Sequence, residues 1–345
     1  MTSAVVVGSG PNGLAAAIRL AQQGVRVRVI EGHQTIGGGT RTSEHTVPGV
    51  LHDDCSAFHP FGVASPAFTQ FRLEEHGLEW LWPEVQIAHP LDGGSAGIAW
   101  RSLDETADAL GADGPAWKRL FGPLVARFGD VASDVLAPLV HWPLHPLTFA
   151  RFGTKALLPA AVLARRWKTP EARALFGGAA AHLFGELTAP LSASVGIMLT
   201  AAAHATGWPV AKGGSHAITR ALSSKLESLG GEIETGCTIE SIDQLGSPDI
   251  VLLDTSPRAA TRIIGARLPR RTAAAYERFR YGPAAFKVDF AVRGNIPWTN
   301  PLCARAGTVH VSGGFEEIVE VERSMVRGQM PERPFCLIGQ QYLAD

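Results

Sequence analysis

A chain of 345 residues with 46% apolar and 18% charged residues can bury a sizeable core in one large or two ordinary domains. Its 31 Lys and Arg nearly cancel 32 Asp and Glu, which excludes the basic footprint of a nucleic-acid binder. The four cysteines are far apart and form no CxxC, so neither a zinc site nor a dithiol redox pair is signalled; they read as reduced, mostly buried thiols of a cytoplasmic protein.

Met1 runs almost directly into the apolar stretch Ala4–Val7, without the basic and apolar regions of a secretion signal. That stretch reads as a fully buried strand. Leu14 to Gln23 reads as a helix with Leu14, Ile18 and Ala21 on one face and Gly24 closing it. Val25 to Ile30 alternates Val with Arg and reads as a second strand.

Between these elements lies Gly8-Ser9-Gly10-Pro11-Asn12-Gly13, a GxGxxG pattern that follows a strand, opens a helix and has an acid, Glu31, closing the next strand. Each residue type has a task in holding a dinucleotide. Gly8 permits the tight turn, Gly10 lets the backbone approach a pyrophosphate, and Gly13, with Ala17 four residues on, lets the helix lie close to the sheet. The helix N-terminus offers N–H groups and partial positive charge to phosphates. Glu31 accepts ribose hydroxyls and repels a 2′-phosphate, which disfavours NADP. Thr35-Ile36-Gly37-Gly38-Gly39-Thr40-Arg41 follows directly, and its glycine pair can wrap backbone around the other side of the pyrophosphate.

Residues 70–206 read as helices broken at Pro115, Pro123, Pro138, Pro143, Pro146, Pro159, Pro170 and Pro190. Trp80, Trp82, Trp117, Trp142 and Trp167 fall here, as core or as a lid over an apolar tunnel resting on a membrane surface. Arg151, Lys155, Arg165, Arg166 and Lys168 suit either a solvated face or an anionic lipid surface. Leu187 to Ala211 carries no Asp, Glu, Lys or Arg, yet its Pro, Gly and His204 favour buried helices over a bilayer span. An α/β pattern then returns. It comprises a helix over Ser215–Leu229, short strands at Glu232–Glu234 and Thr238–Ile242, a buried strand at Ile250–Leu253, a half-exposed strand over 284–292 and a last strand at Phe335–Gly339.

Val5 to Arg41 resembles the start of the phytoene desaturase-like flavoproteins, relatives of the amine oxidases. Lys212-Gly213-Gly214-Ser215, the helix to Gly231 and Glu232–Ile242 resemble that family's second FAD-contacting segment, and Asp249–Asp254 with Ser256-Pro257-Arg258 also matches. The resemblance implies an α/β fold with a FAD-binding Rossmann-like domain and an inserted α+β substrate domain. The expected FAD domain is 1–68 with 207–280, and the substrate domain 69–206 with 281–345. It implies FAD held by Gly8, Gly10, Pro11, Asn12, Gly13, Glu31, Gly37, Gly38 and Arg41, with the backbone of Ile239 facing the adenine. Two departures stand out: Gly39 occupies the place where the family often has Arg, and no counterpart of its C-terminal flavin-binding segment follows Phe335.

The resemblance implies a flavin oxidoreductase that takes a hydride from a lipophilic substrate. Peripheral membrane contact is an expectation from the helices of 70–206, and homo-oligomerisation one from an exposed edge strand left where the substrate sheet ends. An amine oxidase-like enzyme and a non-catalytic lipid- or prenyl-binding protein on the same scaffold are the alternatives. No nucleophile triad or metal-ligand set has diagnostic spacing. His52, His59, His182 and His204 are candidate acid–base groups, each with a structural role as its competing reading, and Lys212 reads as a turn residue that could reach the flavin region.

Overall fold

The computed structural model describes residues 1–138 and 140–345. It begins with β1 (Ser3–Val7), α1 (Pro11–Gln22) and β2 (Arg26–Ile30). Pro11 presets the first helical φ at a position whose N–H has no intrahelical partner. Leu14, Ala17 and Ile18 are buried on one face of α1, and Gly24, at φ +77°, turns the chain into β2.

The next part holds β3 (Val85–Pro90), β4 (Ala96–Ala99), α2 (Gly114–Val125), α3 (Pro146–Ala156), α4 (Pro170–Ala181) and α5 (Ala193–Ala205). After it come α6 (His216–Ser228), β5 (Glu232–Glu234), β6 (Ile250–Leu253), β7 (Ala306–Val311), α7 (Phe315–Val326) and β8 (Cys336–Gly339).

Two four-stranded sheets organise these elements. The first has the order β6-β1-β2-β5 and is wholly parallel, with Val7 opposite both Ile30 and Leu253. This is a Rossmann-like sheet in a mixed α/β fold. Helices α1 and α6 pack together, and Ala17, Ile18, Ala221 and Leu222 share one apolar cluster with Val6 and Val29 of the sheet. The second sheet, β8-β7-β3-β4, is mixed: β7 runs parallel to β3, while β8 and β4 are antiparallel to their neighbours. Helix α4 lies across it and joins the largest apolar cluster, where Trp117, Phe121, Trp167 and Phe176 interleave; the Trp117 and Trp167 ring centroids are 5.0 Å apart.

The structure corrects several sequence expectations. The stretch 70–206 is not helical throughout, because β3 and β4 lie within it. Pro123 does not break a helix: it lies in the last turn of α2, where only a terminal bond is lost. Thr238–Ile242 is not a strand; it is extended chain leading into a single 3₁₀ turn, Ile242–Leu245, which Ser241 and Gln244 close with a reciprocal capping box. Ile250–Leu253 is half-buried rather than buried, as the edge strand β6. Residues 284–292 form no strand, and Phe286 is 94% exposed. Of the cysteines, Cys303 is buried and Cys237 half-buried, but Cys55 and Cys336 are exposed.

Candidate cofactor-binding site

A cavity of about 490 Å³ opens at the C-terminal ends of β1, β2 and β6. Clefts at this edge of a parallel sheet are where α/β proteins place ligands. Its floor is the turn between β1 and α1. Gly8 holds φ +107°, and a Cβ there would lie 2.5 Å from the Asp254 carbonyl oxygen. A Cβ on Gly13 would lie 2.4 Å from the Gly8 carbonyl oxygen. Helix α1 can therefore meet the turn only where side chains are absent, as the fingerprint requires.

The second glycine pair supports this turn. Gly37 donates its N–H to the Ser9 carbonyl at 3.2 Å, and a Cβ on Gly38 would come within 3.1 Å of Gly10 Cα. Both take positive φ, +128° and +53°, which glycine adopts without steric cost. The loop after β2 is thus pressed against the loop after β1, and Gly10 and Gly38 meet at the cavity wall.

Glu31 sits at the end of β2, 6% exposed. Its carboxylate accepts the Ser9 N–H at 3.1 Å, the Ser9 hydroxyl at 2.5 Å and the His33 N–H at 2.8 Å, and Arg41 Nη2 lies 3.2 Å away. Burial pushes this carboxyl up, but the Ser9 and His33 hydrogen bonds and the Arg41 charge outweigh burial and hold it below its ordinary value. A carboxylate has about four acceptor sites, and four donors surround this one. A ribose diol must therefore exchange with one of them. Arg41 also donates to the Thr35 and Gly38 carbonyls, tying the glycine loop to Glu31.

Of the residues expected from sequence, Gly8, Gly10, Pro11, Asn12, Glu31, Gly38, Arg41 and Ile239 line the cavity. Gly13 and Gly37 do not; they stand behind it as the contacts that let its walls approach. Ile239 closes one side from an apolar cluster with Val7, Ile30 and Ile263. Sequence reasoning missed Asp254, Thr255 and Arg262, which also line it. The signal for Asp254 was present in its position at the end of a strand, but its contact with Gly13 spans 241 residues.

The candidate acid–base histidines lie elsewhere. His204 uses both ring nitrogens inside the core, accepting from Trp117 Nε1 at 3.0 Å and facing the Trp100 carbonyl at 3.0 Å. His59 bonds the Ser215 hydroxyl at 2.7 Å, His182 bonds His310 at 3.0 Å, and His52 bonds Thr46 at 2.8 Å. Lys212 pairs with Glu79 at 2.8 Å on the surface. Each is already engaged structurally, and none lines this cavity.

The turn, the acid and the second glycine loop converge on one cavity. Residues 6–72 match the NAD(P)-binding Rossmann-like domain. No curated protein matches the sequence. Among solved structures, the chain is similar to the PF1083 protein from Pyrococcus furiosus, at 16% identity over 81% of this chain and 66% of that one, with a TM-score of 0.51. It is also similar to an oxidoreductase from Methanosarcina mazei, at 16% identity over 80% of this chain and 64% of that one, with a TM-score of 0.52. Likeness at this identity fixes the fold. The chain spans less than two thirds of the length of either structure.

Proposed function

We propose that the chain belongs to a FAD-dependent oxidoreductase and that the cavity above β1, β2 and β6 holds the ADP half of FAD. The observation that carries this reading is the contact between Gly10 and Gly38: a second glycine loop, beyond the GxGxxG turn, encloses the place where a pyrophosphate would lie. The residues around the cavity suit this group. The walls approach at positions that a Cβ would fill, the helix N-terminus faces the cavity, and the acid that selects a free ribose diol stands at its far side.

In this reading the Gly8–Gly13 turn and Gly38 cradle the phosphates with backbone, and Arg41 and Arg262 supply positive charge. Glu31 orients the ribose, and Ile239 packs against the base. Bound flavin would supply hydride acceptance from a substrate C–H bond. The protein's own residues bind, orient and keep the nucleotide half out of water. A lipophilic substrate, as in the phytoene desaturase-like flavoproteins, is the specific form proposed, resting on the resemblance of Val5–Arg41 and Lys212–Ile242.

The test is to mix the purified chain with FAD, remove the excess and record the visible spectrum. A flavin band retained by wild type and lost in Gly10→Val supports the proposal. A colourless wild-type protein that also fails to bind ADP by calorimetry sinks it.

A further inference from the structure

We propose that the surface built from α3, the turn before it and Leu191 docks on an anionic lipid membrane. This goes beyond the flavin reading and does not depend on it. From residue 135 to residue 170 the chain contains no Asp or Glu and five basic residues, Arg151, Lys155, Arg165, Arg166 and Lys168. The same stretch exposes bulky apolar side chains: Trp142 is 89% exposed, Leu147 80% and Leu157 61%.

These side chains are held outward by fixed structure. The buried Asp134 carboxylate accepts the Leu144 and His145 N–H groups at 2.7 and 2.9 Å, anchoring the turn that carries Trp142. Along α3, Leu147, Ala150, Arg151 and Thr154 form one exposed stripe, continued by Leu157 just past its end, while Phe152 and Ala156 point into the core. Leu147 is followed by Ala150 and Arg151, then Thr154, then Leu157, each step three or four residues on, which is the spacing of one helix face. The chain then turns by 91° into a short helix, Ala160–Arg166, that exposes Val162, Arg165 and Arg166.

Leu191 extends the patch from another part of the chain. Its N–H donates to the Leu157 carbonyl at 3.1 Å, so the two exposed leucines are neighbours. Leu191 has φ +69°, a conformation that glycine adopts freely and a leucine adopts at a cost. A strained backbone that presents a leucine to water gains only if something outside the chain covers that leucine.

The chemistry of the cover follows from the charge. A second copy of this surface would set Arg151 and Lys155 of α3 against the same two cations, with no acid on the helix to offset them. A protein partner would need a matching acidic, apolar groove. An anionic bilayer satisfies both features at once, since phosphate headgroups meet the Arg and Lys while Trp and Leu enter the interface. No single helix among the described residues is long and apolar enough to cross a membrane; α3 and the short helix after it reach that length only as a pair bent by 91°, and Phe152, Ala156, Ala160 and Leu163 of that pair are buried in the protein's own core, which favours a peripheral contact.

The experiment is co-sedimentation of the chain with vesicles of phosphatidylcholine alone and of phosphatidylcholine mixed with phosphatidylglycerol. Binding should require the anionic lipid and weaken as salt rises. Arg151→Gln with Arg165→Gln should lower partitioning by roughly fivefold per charge, and Leu157→Ser by about tenfold. Leu191→Gly should weaken binding while holding or raising the melting temperature, because it relieves the backbone, so its effect is separable from unfolding. The proposal is overturned if anionic vesicles leave the chain in the supernatant, or if the variants bind as wild type does. It is equally overturned if light scattering shows a dimer that Leu157→Ser dissolves, which would make a second copy the occupant.

Discussion

The Asp254 carboxylate accepts the backbone N–H of Gly13 at 2.9 Å, so the last residue before the turn out of the β6 region caps the helix that opens the chain. This places a negative charge at the edge of a cavity proposed to take phosphates. Capping and ligand binding then pull in opposite directions at one donor.

Asp254→Ala should therefore have two effects of opposite sign. Loss of the cap should cost about 1 kcal/mol of stability. Release of the Gly13 N–H and removal of the charge should tighten ADP binding severalfold. Denaturant unfolding and calorimetry on one preparation measure both, and weaker ADP binding would contradict the account.

Gly13→Ala tests the close approach itself. The added Cβ meets the Gly8 carbonyl and the Asp254 side chain, at 2.4 and 2.8 Å, and neither has room to move without shifting α1 from the sheet. We expect a loss of about 2–3 kcal/mol, the size of a strained, overpacked site. Gly77→Ala, where no atom lies within 4 Å and the backbone is left-handed helical at φ +91°, ψ +12°, should cost only the backbone term, about 1 kcal/mol.

Glu31→Gln removes charge and places an amide NH₂ among donors. Ser9, His33 and Arg41 all point N–H or O–H groups at this side chain, so at least one donor must face another. A stability loss of about 2–3 kcal/mol is expected. In wild type the folded carboxyl titrates below its ordinary value. Its contribution is thus present above about pH 4.5 and is lost as pH falls through the depressed value. A pH series of melting temperatures should show this acid limb flattened in the variant.

A second pH effect lies higher. Burial lowers His59, His89, His182 and His204 to about 4 from 6.5, so in this interval the unfolded chain binds more protons than the folded one. Stability is full above about pH 6.5 and declines towards pH 4, by up to about 1.4 kcal/mol per pH unit for each histidine. Melting temperatures that stayed level from pH 7 to pH 5 would refute this.

How far the sequence could be read depended on whether a feature is local. The turn from Gly8 to Gly13, α1 and Glu31 are legible because strand, glycines, helix and acid lie within thirty residues and obey fixed spacings. Strand β3 was not, because Gln86 and His89 interrupt its apolar residues in sequence and yet are both buried in the fold, so Val85–Pro90 shows neither a continuous apolar run nor a polar, solvent-facing side. The period-two segment 284–292 is the converse case: alternation signals a strand only where a partner strand supplies hydrogen bonds, and here the segment has none. The saturation of Glu31 was hidden as well, since Arg41 reaches it only after Gly37 and Gly38 reverse the loop.

The order of the parallel sheet also sets when the cavity can exist. Strands β1 and β2 leave the ribosome together, but β5 and β6, which flank them, follow only after roughly 200 residues. At ordinary elongation rates that gap lasts on the order of 10–40 s. Throughout it, the N–H and C=O groups on the two edges of the β1–β2 pair lack their partner strands, and Ile239 and Asp254 are not yet made. The nascent chain must pass through a long-lived state with open sheet edges, which makes translation speed and chaperone access across residues 31–231 determinants of yield. Nucleotide added during synthesis should therefore do little, whereas nucleotide added after release should rescue a weakened variant.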